Sequence, residues 1–495
     1  MKRSPRGHRS ESRRKAEGLA VLATLFASAC AVGPAYVRPS APVPPAFKEP
    51  PPEGWKAAEP KDEAARGEWW RVFGDPGLDA LLSQVSVSNQ NVVEAEAQFR
   101  AARAVARGAR ADLFPTLDAS ASVTRSKASA RSGVSSGTGT TWVIPSLDAS
   151  WEADVFGRIR RNVEANADAA VASAADLEAV RLAMQAELAT DWFLLHGLDA
   201  QKQLLDTAVG AYETALKMTT NRHEQGVVSG VDVAQAETQL ETTRAQATDI
   251  LVTRQQLEHA IAVLVGKPPS ELTIPPSPIG VLPPEIPLEL PSELLERRPD
   301  VAGAERRVAA ANARVGVAVA GFFPRLLLSA SGGFSAGQLA GLFSVPNRFW
   351  SLGATALETI FDAGKRRAGM EQARASYDAA VAAYRQNVLT SMQDVEDDLA
   401  ALRILELEAR QLAVAVAAAE RSLSIARNRY EGGITTYLEV VTAENAALAN
   451  ERAAIQLLSR RMTASVDLVR ALGGGFHASD LPSPFGRGAV SEPAR

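Results

Sequence analysis

Few residues in this chain have the type and spacing that chemistry needs, and those few are poorly placed for it. Gly133-Val134-Ser135-Ser136-Gly137 has the G-x-S-x-G spacing of a hydrolase nucleophile, which needs a buried strand before it and a helix after it. Here the flanks are rich in Ser, Gly and Thr, so the match reads as a loop. The five histidines, His8, His196, His223, His259 and His477, show no paired ligand spacing. His196 and His259 lie within helical patterns and read as structural. One cysteine, Cys30, excludes an internal disulfide framework and a cysteine-based zinc cluster. No G-x-x-x-x-G-K-[ST] loop is present to cradle a nucleotide. The net charge of −4, from 53 Lys+Arg against 57 Asp+Glu, argues against a nucleic-acid partner. The expectation is a non-enzymatic chain with no catalytic set, no metal site and no soluble cofactor.

The chemistry that remains belongs to Cys30. Lys2, Arg3, Arg6, Arg9, Arg13, Arg14 and Lys15 form a basic leader, and Gly18 to Ala29 form an apolar run too short to span a bilayer as a helix. Residues 1–29 therefore read as an export signal. Ala27-Ser28-Ala29-Cys30 resembles a bacterial lipoprotein cleavage site, with Ala27 where Leu is usual. The resemblance implies a covalent lipid on Cys30, an S-diacylglycerol plus an N-acyl chain such as palmitate. Ala31, rather than Asp, fits sorting to the outer membrane. Each buried lipid CH₂ adds roughly 0.8 kcal/mol of anchoring.

What must position the rest is a segment used twice. Asn221-Arg222-His223-Glu224-Gln225-Gly226-Val227-Val228-Ser229-Gly230-Val231-Asp232 returns 207 positions later as Asn428-Arg429-Tyr430-Glu431-Gly432-Gly433-Ile434-Thr435-Thr436-Tyr437-Leu438-Glu439. A fixed offset over so many residues marks an internal duplication. Each copy interrupts a heptad-like pattern at Gly, which predicts two antiparallel helices joined at a tip. Gly226 and Gly433 fit the end of a helix, where a left-handed backbone is needed.

Around those tips the chain divides into two repeats, 76–267 and 293–475, joined by a Pro-rich linker over 268–292. A Pro-rich strap over 30–75 precedes them, and 476–495 reads as a flexible tail. From Leu78 to Asp112 the pattern is helical and stops at Phe114-Pro115. The period then becomes two: Leu117, Ala119, Ala121 and Val123 alternate with Asp118, Ser120, Ser122 and Thr124. Leu147, Ala149 and Trp151 alternate likewise, which predicts a hairpin over 115–153. Phe323-Pro324 answers Phe114-Pro115 and opens a second hairpin over 324–359, with Leu326, Leu328, Ala330, Trp350, Leu352, Ala354 and Ala356 on its apolar side. Phe361-Asp362 is read as the counterpart of Phe156-Gly157. A coiled-coil seam through Ala167, Ala170, Ala174, Leu177, Arg181, Met184 and Leu188 then predicts a helix from Arg158 to the Gly226 tip. At 1.5 Å per residue it would reach about 100 Å.

Several stretches resemble the outer-membrane factors, the TolC/OprM-like, NodT-type lipoproteins that serve as exit ducts of tripartite efflux systems. They are Cys30-Ala31-Val32-Gly33-Pro34-Ala35-Tyr36-Val37-Arg38-Pro39, then Trp69-Trp70-Arg71-Val72-Phe73-Gly74-Asp75-Pro76, and above all Arg297-Arg298-Pro299-Asp300-Val301 with Ala304-Glu305, Ala311-Asn312-Ala313, Gly316 and Phe323-Pro324. Four strands are too few to close a barrel, and single-chain barrels begin at about eight. Two copies would give eight strands and three would give twelve; the resemblance implies three. The fold expected is therefore mainly α with a small β part: a TolC-like homotrimer with a shared twelve-stranded β-barrel in outer-membrane lipid, a periplasmic α-barrel of long coils and a mixed equatorial region.

The resemblance further implies a passive role. An inner-membrane pump, of the resistance-nodulation-division type, and a periplasmic adaptor (membrane fusion protein) dock at the tips, and drugs or other small molecules leave through the duct. Arg222, Gly226, Ser229, Asp232, Arg429, Gly433, Thr436 and Glu439 match the positions where such proteins meet the adaptor. A Leu and an acidic residue four positions on narrow the pore in the family; Leu438 matches the first, while Thr442 replaces the second, leaving Glu439 or Glu444 as nearby charge. Two other readings use the same elements, a duct for type I secretion and a trimeric stalk or adhesin.

Overall fold

The computed structural model describes residues 32–50, 68–127, 139–286 and 297–485. The signal, Cys30 and Gly133–Gly137 lie outside them. Among the described residues are seven α-helices: α1 (Pro76–Ser88), α2 (Gln90–Ala111), α3 (Arg158–Glu224), α4 (Gly230–Leu264), α5 (Pro299–Ala320), α6 (Lys365–Glu431) and α7 (Tyr437–Ala471). Four strands accompany them: β1 (Thr116–Ser126), β2 (Thr140–Ala153), β3 (Arg325–Phe334) and β4 (Arg348–Leu357).

The duplication is close to a rule of construction. Helices α3 and α6 both have 67 residues, and α4 and α7 both have 35. Both long helices start after a glycine held left-handed, Gly157 at φ 80° and Gly364 at φ 89°. That pairing corrects the sequence reading, in which Phe361-Asp362 stood opposite Phe156-Gly157. Asp362 is instead the capping carboxylate: it accepts from the Gly364 and Arg366 amides, as Asp154 accepts from those of Ile159 and Arg160. The second hairpin is shorter, so the glycine, not the aromatic, keeps the register.

The single helix read from Leu78 to Asp112 is two helices. Asn89 breaks it, because its side chain caps α2 by accepting from the Asn91 and Val92 amides. The break has a structural use. Asn89 Nδ2 donates to the Leu264 carbonyl at 2.8 Å, and Ser88 Oγ to that of Val265 at 2.8 Å. The N-terminus of α2 thus stands on the C-terminus of α4. The second repeat does the same: Arg298 Nη1 donates to the Ala471 carbonyl at 3.1 Å, and Gly473 lies against the Arg297 carbonyl. A negative helix end meets a positive one in both places. Near the sheet, α2 and α5 accompany the long helices; toward the tips, α4 and α7 take over.

The sheet runs β1-β2-β3-β4, antiparallel throughout, and its outer strands are unpaired on one edge. The register puts Leu117, Leu147, Ala149, Leu328, Ala330, Leu352 and Ala354 on one face, and Asp118, Ser120, Ser146, Asp148, Ser329 and Ser331 on the other. Asp148 accepts hydrogen bonds from Ser120, Ser146 and Ser331, which are drawn from three different strands. Every residue of β1 is exposed, so this sheet has no core of its own within one chain. An apolar face with open edges is stable in lipid only when the edges close on other strands. No helix among the described residues is long and apolar enough to cross a membrane.

The main core lies at mid-height. Trp69, Trp70 and Phe73 sit in a short 3-10 turn packed on Phe193 and Leu188 of α3, with Trp69 Nε1 donating to Gln185 at 3.1 Å. Residues 32–50 and 476–485 then lie along the helices as straps. Val32 N–H donates to the Phe156 carbonyl, at the foot of β2, at 3.1 Å. From there the N-terminal strap descends α5 and α6 to Lys48 and Glu49, whose amides are both held by Glu396. The C-terminal segment departs from the flexible tail read over 476–495. Through Phe485 it is packed: Leu481 joins Val92, Phe99 and Leu177, and Phe485 lies 5.1 Å from the Arg110 guanidinium. Gly473, Gly474 and Gly475, all at positive φ, turn the chain into that path. The linker also has a core side, with Ile274 and Ile286 buried.

Candidate functional site at the paired helical tips

Each tip is built by backbone rules first. At the end of α3, Gly226 has φ +73°, its amide bonds the His223 carbonyl, and the Val227 amide bonds that of Arg222. At the end of α6, Gly433 has φ +70°, with the same two bonds to Tyr430 and Arg429. Both are Schellman closures, where glycine avoids the penalty of a Cβ. The next helices start differently. Ser229 and Asp232 form a reciprocal capping box on α4: the Ser229 amide donates to Asp232 at 3.0 Å, and the Asp232 amide to Ser229 Oγ at 3.4 Å. Thr436 occupies the same place on α7 but makes no side-chain cap. Its would-be partner Glu439 is engaged elsewhere, by Thr435 Oγ1 and by Arg429 at 2.6 Å.

The two tips touch. Arg222 of the first lies over the Tyr430 ring of the second, 4.9 Å from its centroid, and Tyr430 packs on Tyr437 at 5.5 Å. Ala236, Ala426, Tyr437 and Val440 make a small buried cluster there. Gln239 Nε2 donates to Asn445 at 2.9 Å, joining α4 to α7. Among the residues that face water at this end, beside polar ones such as Glu224, Gln225 and Glu431, are four aliphatics: Val227 is 68% exposed and Val231 64%, and their counterparts Ile434 and Leu438 are 72% and 55% exposed.

Leu438 and Thr442 share one face of α7, since Thr442 Oγ1 donates to the Leu438 carbonyl at 2.8 Å. Of the two carboxylates named as replacements for an acid at position 442, Glu444 is ruled out. It is buried, faces Arg427 at 3.1 Å, and burial holds its pKa above the usual carboxylate value. Glu439 stays half-exposed but is bound to Arg429.

Sequence reasoning named the eight tip residues but missed Tyr430, Tyr437 and Thr435, which tie them together, and Arg427, which holds Glu444. The signal lay in the differences between copies: Tyr430 stands where the first copy has His223, and Tyr437 where it has Gly230. A second missed cluster lies at mid-height. Arg254 bonds Asp199 at 2.7 Å, Glu258 at 2.5 Å and the Ile274 carbonyl at 2.7 Å, while Asp199 and Glu258 accept from the Ser277 and Ile274 amides. His196 bonds the Ser277 carbonyl through Nδ1 at 2.6 Å, so it is a structural histidine of this clip. Asp199 sits below the usual carboxylate pKa, because its hydrogen bonds and the Arg254 charge outweigh burial. Among the described residues no group of three or more His, Cys, Asp or Glu is placed to hold a metal ion.

A two-fold repeated hairpin sheet, coils of 67 residues and paired tips are the geometry of a duct wall. The family model for outer membrane efflux protein matches residues 81–267 and 290–474, one block for each repeat. The chain belongs to the outer membrane efflux protein family. The outer membrane protein OprJ of Pseudomonas aeruginosa is 33% identical over 465 residues, which cover 92% of this chain and 95% of that one. The solvent efflux pump outer membrane protein SrpC of Pseudomonas putida is 31% identical, covering 94% and 99%. The solved outer-membrane channel OprN superposes with a TM-score of 0.83 at 32% identity, covering 90% and 99%.

This outer membrane efflux protein is accordingly the outer-membrane channel component of an efflux pump, with a TolC-like trimeric fold that reaches into the periplasm. The four-stranded sheet is one third of a closed barrel, which is why its edges are bare. The matches place the chain with efflux channels rather than with stalks or adhesins.

Proposed function

We propose that the chain is a passive exit duct whose paired tips receive a periplasmic adaptor, with an inner-membrane transporter of the resistance-nodulation-division type supplying the energy. One observation carries the reading: both tips present exposed aliphatic residues, Val227 and Val231 beside Ile434 and Leu438, on a body made rigid by the Arg222–Tyr430 contact. Single exposed aliphatics are ordinary, but four at quasi-equivalent places on one end form a surface for another helical hairpin. Within that surface Gly226, Gly433, Ser229 and Asp232 shape the backbone. Arg222, Arg429, Thr436 and Glu439 form its polar rim. No residue here performs a reaction; small molecules move down the concentration set by the pump.

Leu438 and Thr442 are the proposed constriction. With Glu444 buried against Arg427 and Glu439 paired with Arg429, the closed ring carries no net acidic charge. The lipid anchor at Cys30 is also a proposal. Val32, two residues downstream, is bonded at the foot of β2, so an acyl chain starting at Cys30 would begin at bilayer level.

The test is a resistance assay in a host that depends on this duct. Val231→Asp with Ile434→Asp should abolish resistance while the trimer remains intact in the outer membrane. Unchanged resistance would refute docking at the tips. Mass measurement of the mature N-terminal peptide decides the anchor, and an unmodified Cys30 thiol would sink it.

A further inference from the structure

The inner wall of the duct, midway between sheet and equator, carries a cationic feature that the exit-duct reading does not require. Helix α5 is enclosed by α3 and α6 on its flanks. Its outer face is covered by the N-terminal strap: Glu305 accepts from Tyr36 Oη, Asn312 Nδ2 donates to the Pro34 carbonyl at 3.2 Å, and Gly316 lies under Gly33. Of its 22 residues, the exposed ones are Arg307 and Arg314, one heptad apart. At about 100° per residue they lie on the side of the helix opposite the strap.

The neighbouring helices agree on which way that side points. On α6, Arg385 donates to the Ser40 carbonyl of the strap, and Gln372 and Ser376 lie on the opposite face. On α3, Arg158 reaches Glu152 on the polar face of the sheet, and Asp176 lies on the same helical stripe as Arg158. The polar sheet face and these stripes form one continuous surface turned away from lipid and strap. A shallow groove on that surface is floored by alanines of all three helices and edged by Ser173, Asp176, Arg307, Arg314, Gln372 and Ser376.

The charges in this groove do not cancel. Arg307 Nη2 binds Asp176 Oδ1 at 2.6 Å, which neutralises that pair. Arg314 makes no hydrogen bond or ion pair with another described residue. An Arg in the interior of a helix that is otherwise buried forgoes packing and gains nothing from the macrodipole there. Its guanidinium fork is free for a carboxylate, sulfonate or phosphate, and the alanine floor beside it suits an apolar body.

Building on the trimeric duct, we infer that Arg314 forms a ring of three guanidinium groups on the inner wall, a station at which anionic amphipathic solutes are held in transit. The Arg307–Asp176 pairs flank the ring and limit its charge to one uncompensated cation per chain. Anions entering from below are drawn to it, and the wide, watery lumen keeps the attraction weak enough for release.

Purified trimers in planar bilayers under a KCl gradient test this, with chloride as the probe anion. Arg314→Glu should lower the chloride-to-potassium permeability ratio roughly threefold or more, as expected for reversing a charge that faces water. Arg314→Lys should keep the wild-type ratio, and Asp176→Asn, which releases Arg307, should raise it. All three positions face water, and native mass measurement confirms that the variants remain trimers. A reversal potential unmoved by Arg314→Glu, with conductance intact, overturns the ring and leaves the duct standing. The same variants are also made on a Leu438→Ala background, which widens the proposed constriction so that a shut end does not mask the reading; Leu438→Ala trimers that still conduct nothing overturn the duct reading, and the ring with it.

Discussion

Arg222 and Tyr430 come from different repeats, yet the guanidinium of one lies 4.9 Å from the ring centroid of the other. This contact makes the two tips a single end rather than two independent hairpins. A partly exposed cation–π pair is worth about 0.5–1 kcal/mol. Tyr430→Leu keeps the apolar packing on Tyr437 and removes that term. A double-mutant cycle of Arg222→Ala and Tyr430→Leu, read by thermal unfolding of the trimer, should show coupling of about that size. Additive effects would mean that the tips are not joined through this pair.

The starts of α4 and α7 predict an asymmetry between repeats. Ser229→Ala removes a capping oxygen and half of a capping box, and should cost about 1 kcal/mol per chain. Thr436→Ala removes a side chain that makes no cap and should cost a few tenths at most. Hydrogen exchange at the first turns of α4 and α7 is the direct measurement. Equal losses in both would contradict the difference in capping.

Arg254 is the centre of the mid-height clip, and its removal strands two buried carboxylates. Arg254→Ala should destabilise by about 3–5 kcal/mol, because the buried Asp199 and Glu258 would lose their shared counter-charge and keep only the Ser277 and Ile274 amides. Proteolysis should then cut first near residues 272–279, the stretch that the clip holds. Adding Asp199→Asn and Glu258→Gln to the Arg254 variant should recover part of the loss.

Asp398 predicts a pH dependence with a definite sign. Burial, with Asp467 nearby, raises its pKa from 3.8 to about 7. The folded state therefore holds its proton more tightly than the unfolded chain does. The stability this contributes is complete below pH of about 4 and is lost as pH rises to about 7. Asp168 and Asp191, each raised to about 6 by burial, act in the same direction. Asp398→Asn should flatten the decline in the unfolding temperature across that window and leave the variant more stable than wild type at pH 8. A parallel decline in both proteins would sink the assignment.

What could be read in advance followed local repetition. The alternation of Leu117, Ala119, Ala121 and Val123 has a period of two, and the Ala170, Ala174, Leu177 and Leu188 seam has a helical one; both are properties of neighbours in the chain. Gly226 and Gly433 were legible for the same reason, since a left-handed helix end is a one-residue requirement. The break at Asn89 was harder to read. An Asn inside a helical pattern looks tolerable until its carbonyl-capping role under Leu264 is seen. The tail was misjudged because Leu481 and Phe485 are isolated apolar residues whose partners, Phe99 and Arg110, lie hundreds of positions earlier.

The sequence alone determined the duplication, the element types and the need for several chains to close a barrel, because each follows from spacing along the backbone. Only the tertiary structure decided that Arg222 meets Tyr430, that Arg254 binds Asp199, and that Arg314 and the strap lie on opposite sides of α5. Contacts between distant segments obey no fixed spacing. They are set by how the helices pack side by side, and that packing appears only once the whole chain has folded.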